Sequence, residues 1–98
     1  MEIAFRDSKL GRLETDISYS GGYDLAIVRA FRKVINFLRD ARDERDLYSY
    51  KSLRFEKLKG DRSHQRSLRL SDQFRLIVEI RVAKPKNTLV VISIEDYH

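Results

Sequence analysis

The chain has no cysteine, no tryptophan, one proline and four glycines in its 98 residues. Without cysteine there is no disulfide framework, no thiolate metal site and no sulfur nucleophile. No apolar stretch approaches the ~18–20 residues that a bilayer crossing needs. The opening Met1-Glu2-Ile3-Ala4-Phe5-Arg6 has no basic segment followed by a long apolar one, which argues against a secretory leader. No internal repeat or low-complexity segment is present, and Glu14 and Asp16 lack the further ligands that a metal site requires. The expectation is a single domain over residues 1–98, cytoplasmic, with no membrane contact, no metal and no cofactor. A chain of this length buries roughly two-thirds of its unfolded surface, enough for one modest core.

Charge, by contrast, is abundant. Lys and Arg number 20 against 15 Asp and Glu, a net +5. Residues 1–50 hold nine basic and nine acidic side chains. Residues 51–86 hold eleven basic and four acidic, a net +7, and residues 87–98 add only Glu95 and Asp96. Thirteen of the basic residues are arginine, whose planar fork suits bidentate contact with phosphate. Two readings of the basic segment stand side by side, a polyanion-binding surface and a solvated sheet face.

Residues 2–5 alternate weakly and predict a short first strand. Asp7 or Ser8 can cap a helix running to about Asp16, with Leu10, Leu13 and Ile17 as its apolar positions. After the Gly21-Gly22 break, Ile27, Val28, Phe31, Val34, Ile35 and Leu38 recur at helical spacing, with Arg29, Arg32, Lys33 and Arg39 on the opposite face. Asp24 is the expected cap, and the helix should end near Arg42. Asp43-Glu44-Arg45-Asp46 reads as a charged connection.

The period then changes. Leu53, Phe55 and Leu58 suggest a strand leading to a Lys59-Gly60-Asp61 turn, and Ser67 to Leu70 alternates. Phe74, Leu76, Val78, Ile80 and Val82 alternate with Arg75, Ile77, Glu79 and Arg81, a strand with one strongly apolar face. Ala83 to Asn87, around Pro85, reads as a hairpin turn. Leu89 to Ile94 is a nearly continuous apolar run, expected to be a central strand buried on both faces. Helices first and strands later give an α+β fold, two N-terminal helices on one face of a small, mostly meander antiparallel sheet. Arg69 and Arg75, alternating with Leu68, Leu70, Phe74 and Leu76, should then occupy the face away from the helices.

Four pieces occur in one order: Leu58-Lys59-Gly60-Asp61-Arg62, Ser67-Leu68-Arg69-Leu70, Phe74-Arg75-Leu76, and the terminal Glu95-Asp96-Tyr97-His98. Together they resemble the HigB branch of the RelE/ParE toxin superfamily, closely over residues 53–98 and only in element order before that. The resemblance implies a RelE-like toxin of a type II toxin–antitoxin system. Its expected activity is that of a ribosome-dependent mRNA endoribonuclease that inhibits translation. Its expected partners are mRNA, the ribosome with its rRNA, and a cognate HigA-like helix-turn-helix antitoxin. A ParE-like inhibitor of gyrase without enzymatic activity, and an attenuated toxin acting through antitoxin binding, are the alternatives.

Metal-free RNA cleavage needs a base for the ribose 2′-hydroxyl, cations for the charge gathering on phosphorus, and an acid for the leaving 5′-oxygen. Lys59 and Arg75 are the expected transition-state cations, and Arg62, Arg66 and Arg69 the expected RNA contacts. Glu56, Asp96, Tyr97 and His98 are the candidates for proton transfer and base stacking. HigB-like toxins often read His-Pro-Leu-Lys-Gly-Asp-Arg where this chain reads Glu56-Lys57-Leu58-Lys59-Gly60-Asp61-Arg62, so Glu56 stands in place of a common histidine. His64, in the loop that follows, reads as an exposed loop side chain.

Overall fold

The structure, a computed structural model, describes residues 1–96; Tyr97 and His98 lie outside the described residues. The elements run β1 (Glu2–Phe5), α1 (Ser8–Thr15), α2 (Leu25–Asp40), α3 (Glu44–Ser49), β2 (Glu56–Lys57), β3 (Gln65–Arg69), β4 (Phe74–Arg81) and β5 (Thr88–Asp96), with 3-10 turns at Lys51–Leu53 and Gly60–Arg62. None of the helices described is long and apolar enough to cross a membrane.

The apolar stripe of α2 is the one its spacing predicts: Ile27, Val28, Phe31, Val34, Ile35 and Leu38 are all buried. Asp24 occupies the N-cap position, but its side chain makes no capping hydrogen bond. Its carbonyl instead accepts the Ile27 and Val28 amides, and only the attraction of its charge to the helix dipole remains. In α1 the Asp7 carboxylate does cap, accepting the Lys9 amide at 2.9 Å. Leu10 and Leu13 are buried as expected, but Ile17 lies beyond the helix end and is 90% exposed.

Two arginines read as part of an outer basic face instead tie α1 to α2. Arg32 donates to the Leu13 and Asp16 carbonyls at 2.9 and 3.0 Å. These oxygens sit at the end of α1, where carbonyls have no intrahelical partner. Arg39 forks onto both oxygens of Glu14 at 2.7 Å each.

The charged connection at residues 43–46 is a third helix. Asp43 accepts the Arg45 amide at 2.9 Å, Glu44 and Asp46 fall in the first turn, and fully buried Leu47 anchors the segment. One apolar residue sets no period, so pattern alone does not reveal this helix. The strand expected from Leu53 is also shorter, because the 3-10 turn ends on Arg54 with a left-handed φ of 48°. Pairing begins only at Glu56.

The sheet order is β1-β5-β4-β3-β2. Strands β2 to β5 form the expected antiparallel meander, and β1 adds a parallel edge on β5. β4 is the middle strand. β5, beside it, is buried on both faces at Leu89, Val90 and Val91. Leu68, Leu76, Val78, Leu89 and Val91 pack under α2 in one core. The pairing of β4 with β5 shifts between Ile77 and Val78: Ile77 faces Ser93, but Val78 faces Val91. Ile92 is therefore an extra residue in β5, a β-bulge that reverses which side chains share a face.

Phe31 lies fully buried at the centre of the α2 stripe. Phe31→Ala is expected to lower the unfolding free energy by about 3–5 kcal/mol, read from urea denaturation at an unchanged m-value.

Candidate functional site

The sheet face away from the helices is built by register. β3, β4 and β5 bring Arg69, Arg75 and Glu95 into one cross-strand row. The adjacent row runs Glu56, Ser67, Ile77, Ser93, and the next runs Gln65, Glu79, Val90. This is not a plain solvated surface. Ser67, Ile77 and Val90 are buried, and so is Arg75, which is only 7% exposed. One Arg75 nitrogen lies 3.4 Å from the Arg54 carbonyl. The bend at Arg54 that shortens β2 thus supplies an acceptor to a buried guanidinium.

Arg62 bridges two of these rows. Its Nε donates to Gln65 Oε1 at 2.8 Å. Its two terminal nitrogens fork onto the Glu95 carboxylate at 2.9 and 2.7 Å. The Arg62 hydrogen bonds hold the Glu95 carboxyl below the usual carboxylate range, with burial opposing and the Ser93 hydroxyl, at 3.1 Å, assisting. Gln65 is buried and passes its amide on to Glu79 at 3.2 Å. Glu79 also accepts from Arg6 at 3.0 Å. The Gln65 hydrogen bond is the largest cause of the lowered Glu79 pKa. A chain of polar contacts thus runs from Arg6 through Glu79, Gln65 and Arg62 to Glu95.

The other expected site residues fall in several places. Glu56 is exposed on the second row and, among the described residues, makes no side-chain hydrogen bond or ion pair. Lys59 is exposed and immediately precedes Gly60, whose φ of 65° suits a residue without a Cβ. That left-handed residue opens the Gly60–Arg62 turn, with Lys59 just before it and Arg62 at its end. Arg69 pairs with Asp72 and lines a cleft of about 290 Å³ with Lys33, Phe37 and Tyr50. Arg66 has the opposite parity: it faces the helix side, its Nε 3.4 Å from Glu44. Asp96 is paired with Phe74 in the register and accepts from Gln73 at 3.1 Å. His64 is exposed, its Nε2 3.8 Å from Glu79. Tyr97 and His98 lie outside the described residues.

Sequence pattern alone missed Gln65, Glu79 and Arg6 as supports of the site, and Glu95 as the carboxylate that holds Arg62. Glu79 was visible in the alternation of β4, on the same face as Arg75. Gln65 carried no signal of its own, and the parity of Glu95 depends on the bulge at Ile92.

No protein-family model matches the chain, and no curated protein matches it in sequence. Among solved structures it is similar in fold to a YoeB/ParE toxin from Agrobacterium tumefaciens, with a TM-score of 0.58 and 17% identity over 100% of both chains. At that identity the likeness is one of fold. The α+β architecture is of the type expected from the RelE/ParE resemblance.

Because Glu95 titrates lower folded than unfolded, its contribution to stability is complete above the ordinary value of 4.5 and disappears as pH falls through the lowered folded value. Glu95→Gln is expected to flatten this part of the acid limb. In urea melts between about pH 3 and 7, wild type and variant should converge at the acid end. Their separation at neutral pH should stay within about 1 kcal/mol, since the Arg62–Glu95 pair is partly exposed.

Proposed function

We propose that the protein is the toxin of a type II toxin–antitoxin system and acts as a HigB-type, ribosome-dependent mRNA endoribonuclease. The observation that carries this reading is the row Arg69–Arg75–Glu95 with Arg62 bridged to it and Glu56 exposed on the neighbouring row. The toxin-type fold adds support.

The reaction is an internal transesterification. The 2′-oxygen of one ribose attacks the adjacent phosphorus, the bond to the 5′-oxygen of the next nucleotide breaks, and a 2′,3′-cyclic phosphate remains. Glu56, a carboxylate with no side-chain partner among the described residues, takes the 2′-proton. Glu95, held ionised by Arg62, is unsuited to giving a proton and acts as the counter-ion that orients the guanidinium. Arg75 and Lys59 stabilise the charge that builds on the phosphoryl oxygens. Arg75 is suited to this because its strand and its burial fix it before substrate arrives. Protonation of the leaving oxygen is assigned to the terminal segment, Asp96, Tyr97 and His98, with Tyr97 also stacking on a base. Arg62 and Arg69 contact RNA phosphate by exchanging their carboxylates for it. A helix-turn-helix antitoxin covers the basic face when the toxin is silent.

The test is induction of wild type, Arg75→Ala, Glu56→Gln and a chain lacking Tyr97 and His98, with mRNA ends mapped. Arg75→Ala should lose cleavage by about 10²–10³-fold, the usual cost of one oxyanion donor. Glu56→Gln should lose about 10²–10⁴-fold, as for removal of a general base. Equal growth arrest by all four chains with intact mRNA would defeat the nuclease reading. Gyrase-linked DNA breaks under the same conditions would establish the ParE-like alternative.

A further inference from the structure

Eight arginines are neutralised by carboxylates among the described residues: Arg6, Arg12, Arg39, Arg42, Arg45, Arg62, Arg66 and Arg69. Of the cations left over, Lys9, Arg29 and Lys33 are exposed on the helices, and most of the others gather in two groups at the sheet. One group, Lys51, Arg54, Lys57 and Lys59, surrounds β2 beside the candidate site. A second group, Arg81, Lys84 and Lys86, forms the β4–β5 hairpin, where all three are exposed and none pairs with a carboxylate among the described residues. The sequence carries no acidic residue from Ile80 to Ile94. Asp43, which lines a cleft with Lys86, is already held by Arg45 at 2.8 Å, and Arg42 lines the same cleft. The hairpin is shaped rather than loose at its base, since Asn87 Oδ1 accepts the Ala83 amide at 3.3 Å.

The two groups are joined by geometry. Arg75 and Arg81 have the same parity on β4, so both lie on the face away from the helices. At ~3.3–3.4 Å per residue they stand about 20 Å apart. The one acid between them on that face of β4 is Glu79, and Arg6 and Gln65 occupy it. A nucleic-acid strand stacked as in a B-form duplex advances ~3.4 Å per nucleotide, so about six nucleotides cover the distance.

We infer that the β4–β5 hairpin is a second anchor for the phosphodiester backbone of the RNA bound at the candidate site, engaged through Arg81, Lys84 and Lys86 about six nucleotides away. The inference rests on the RNA reading of that site and extends it to substrate length. Contacts of this kind carry no base preference and are strongly salt-dependent. The anchor therefore sets affinity and minimum substrate length, and leaves the chemistry to the other end of β4.

The experiment is fluorescence anisotropy with 2′-O-methyl oligouridylates of 12 and 4 nucleotides, which cannot be cleaved because the nucleophile is blocked. The combined variant Arg81→Gln, Lys84→Gln, Lys86→Gln is compared with a control carrying Lys9→Gln, Arg12→Gln and Arg29→Gln. The control removes the same charge from exposed positions on the helices. The hairpin variant should weaken the 12-mer at least tenfold and the 4-mer less than twofold. It should also lower the slope of log K against log salt by about 2, the value for three phosphate contacts on a single strand. Equal weakening of both lengths, or no more weakening than in the control, overturns the anchor. So does unchanged 12-mer binding with lost affinity for polyglutamate, which identifies an acidic protein as the hairpin's partner. The nuclease reading fails separately: a wild type that binds the 12-mer in this length-dependent way but leaves ribosome-bound mRNA uncut retains the anchor and loses the activity.

Discussion

One extra residue in β5 decides what the sheet can present. Before Ile92, Leu89 and Val91 point to the helices and Val90 points away. Strict alternation would continue with Ser93 and Glu95 toward the apolar core, where a carboxylate without a buried partner is costly. The bulge reverses the parity. Ile94 joins the core side, and Ser93 and Glu95 reach the face of Arg75. The counter-ion beside the cationic row and its bridge from Arg62 follow from that single offset.

A buried guanidinium such as Arg75 must be supplied with acceptors before the chain gains by burying it. The left-handed Arg54 turns its carbonyl to within 3.4 Å of that side chain. The same bend leads directly into the two-residue β2, which is followed by the exposed Lys59-Gly60-Asp61-Arg62 turn. Stability and site are thus coupled at one backbone position. On the helix side the coupling is different. Arg32 closes the end of α1 and Arg39 clamps Glu14, so two cations that look available in sequence are part of the frame.

The basic segment is consequently not one uniform surface. Arg66 goes to the helix side and Glu44, Arg69 to Asp72, and Arg62 to Glu95. The exposed pairs of Arg62 and Arg69 are weak, worth at most about 1 kcal/mol, so a phosphate can displace them. They keep each arginine extended and oriented, which lowers the entropy cost when a ligand takes the carboxylate's place. The cations around β2, those of the hairpin, and Lys9, Arg29 and Lys33 on the helices carry the charge that is not balanced locally.

The sequence by itself determined the α2 stripe, because six apolar side chains at helical spacing have one face to bury. It also determined the strand from Phe74 to Arg81, the glycine turn at Lys59-Gly60-Asp61, and hence an α+β fold with arginines on the outer sheet face. Helix α3 escaped because one buried leucine makes no period, and the side-chain cap expected of Asp24 does not form because capping depends on a side-chain angle. Only the tertiary structure decided which carboxylate meets which arginine. Arg62 and Glu95 are 33 residues apart, and their meeting depends on strand register. A continuous apolar run such as Leu89 to Ile94 looks the same with or without a bulge, since both faces are buried where the offset occurs. Alternation can report register only where one face is polar.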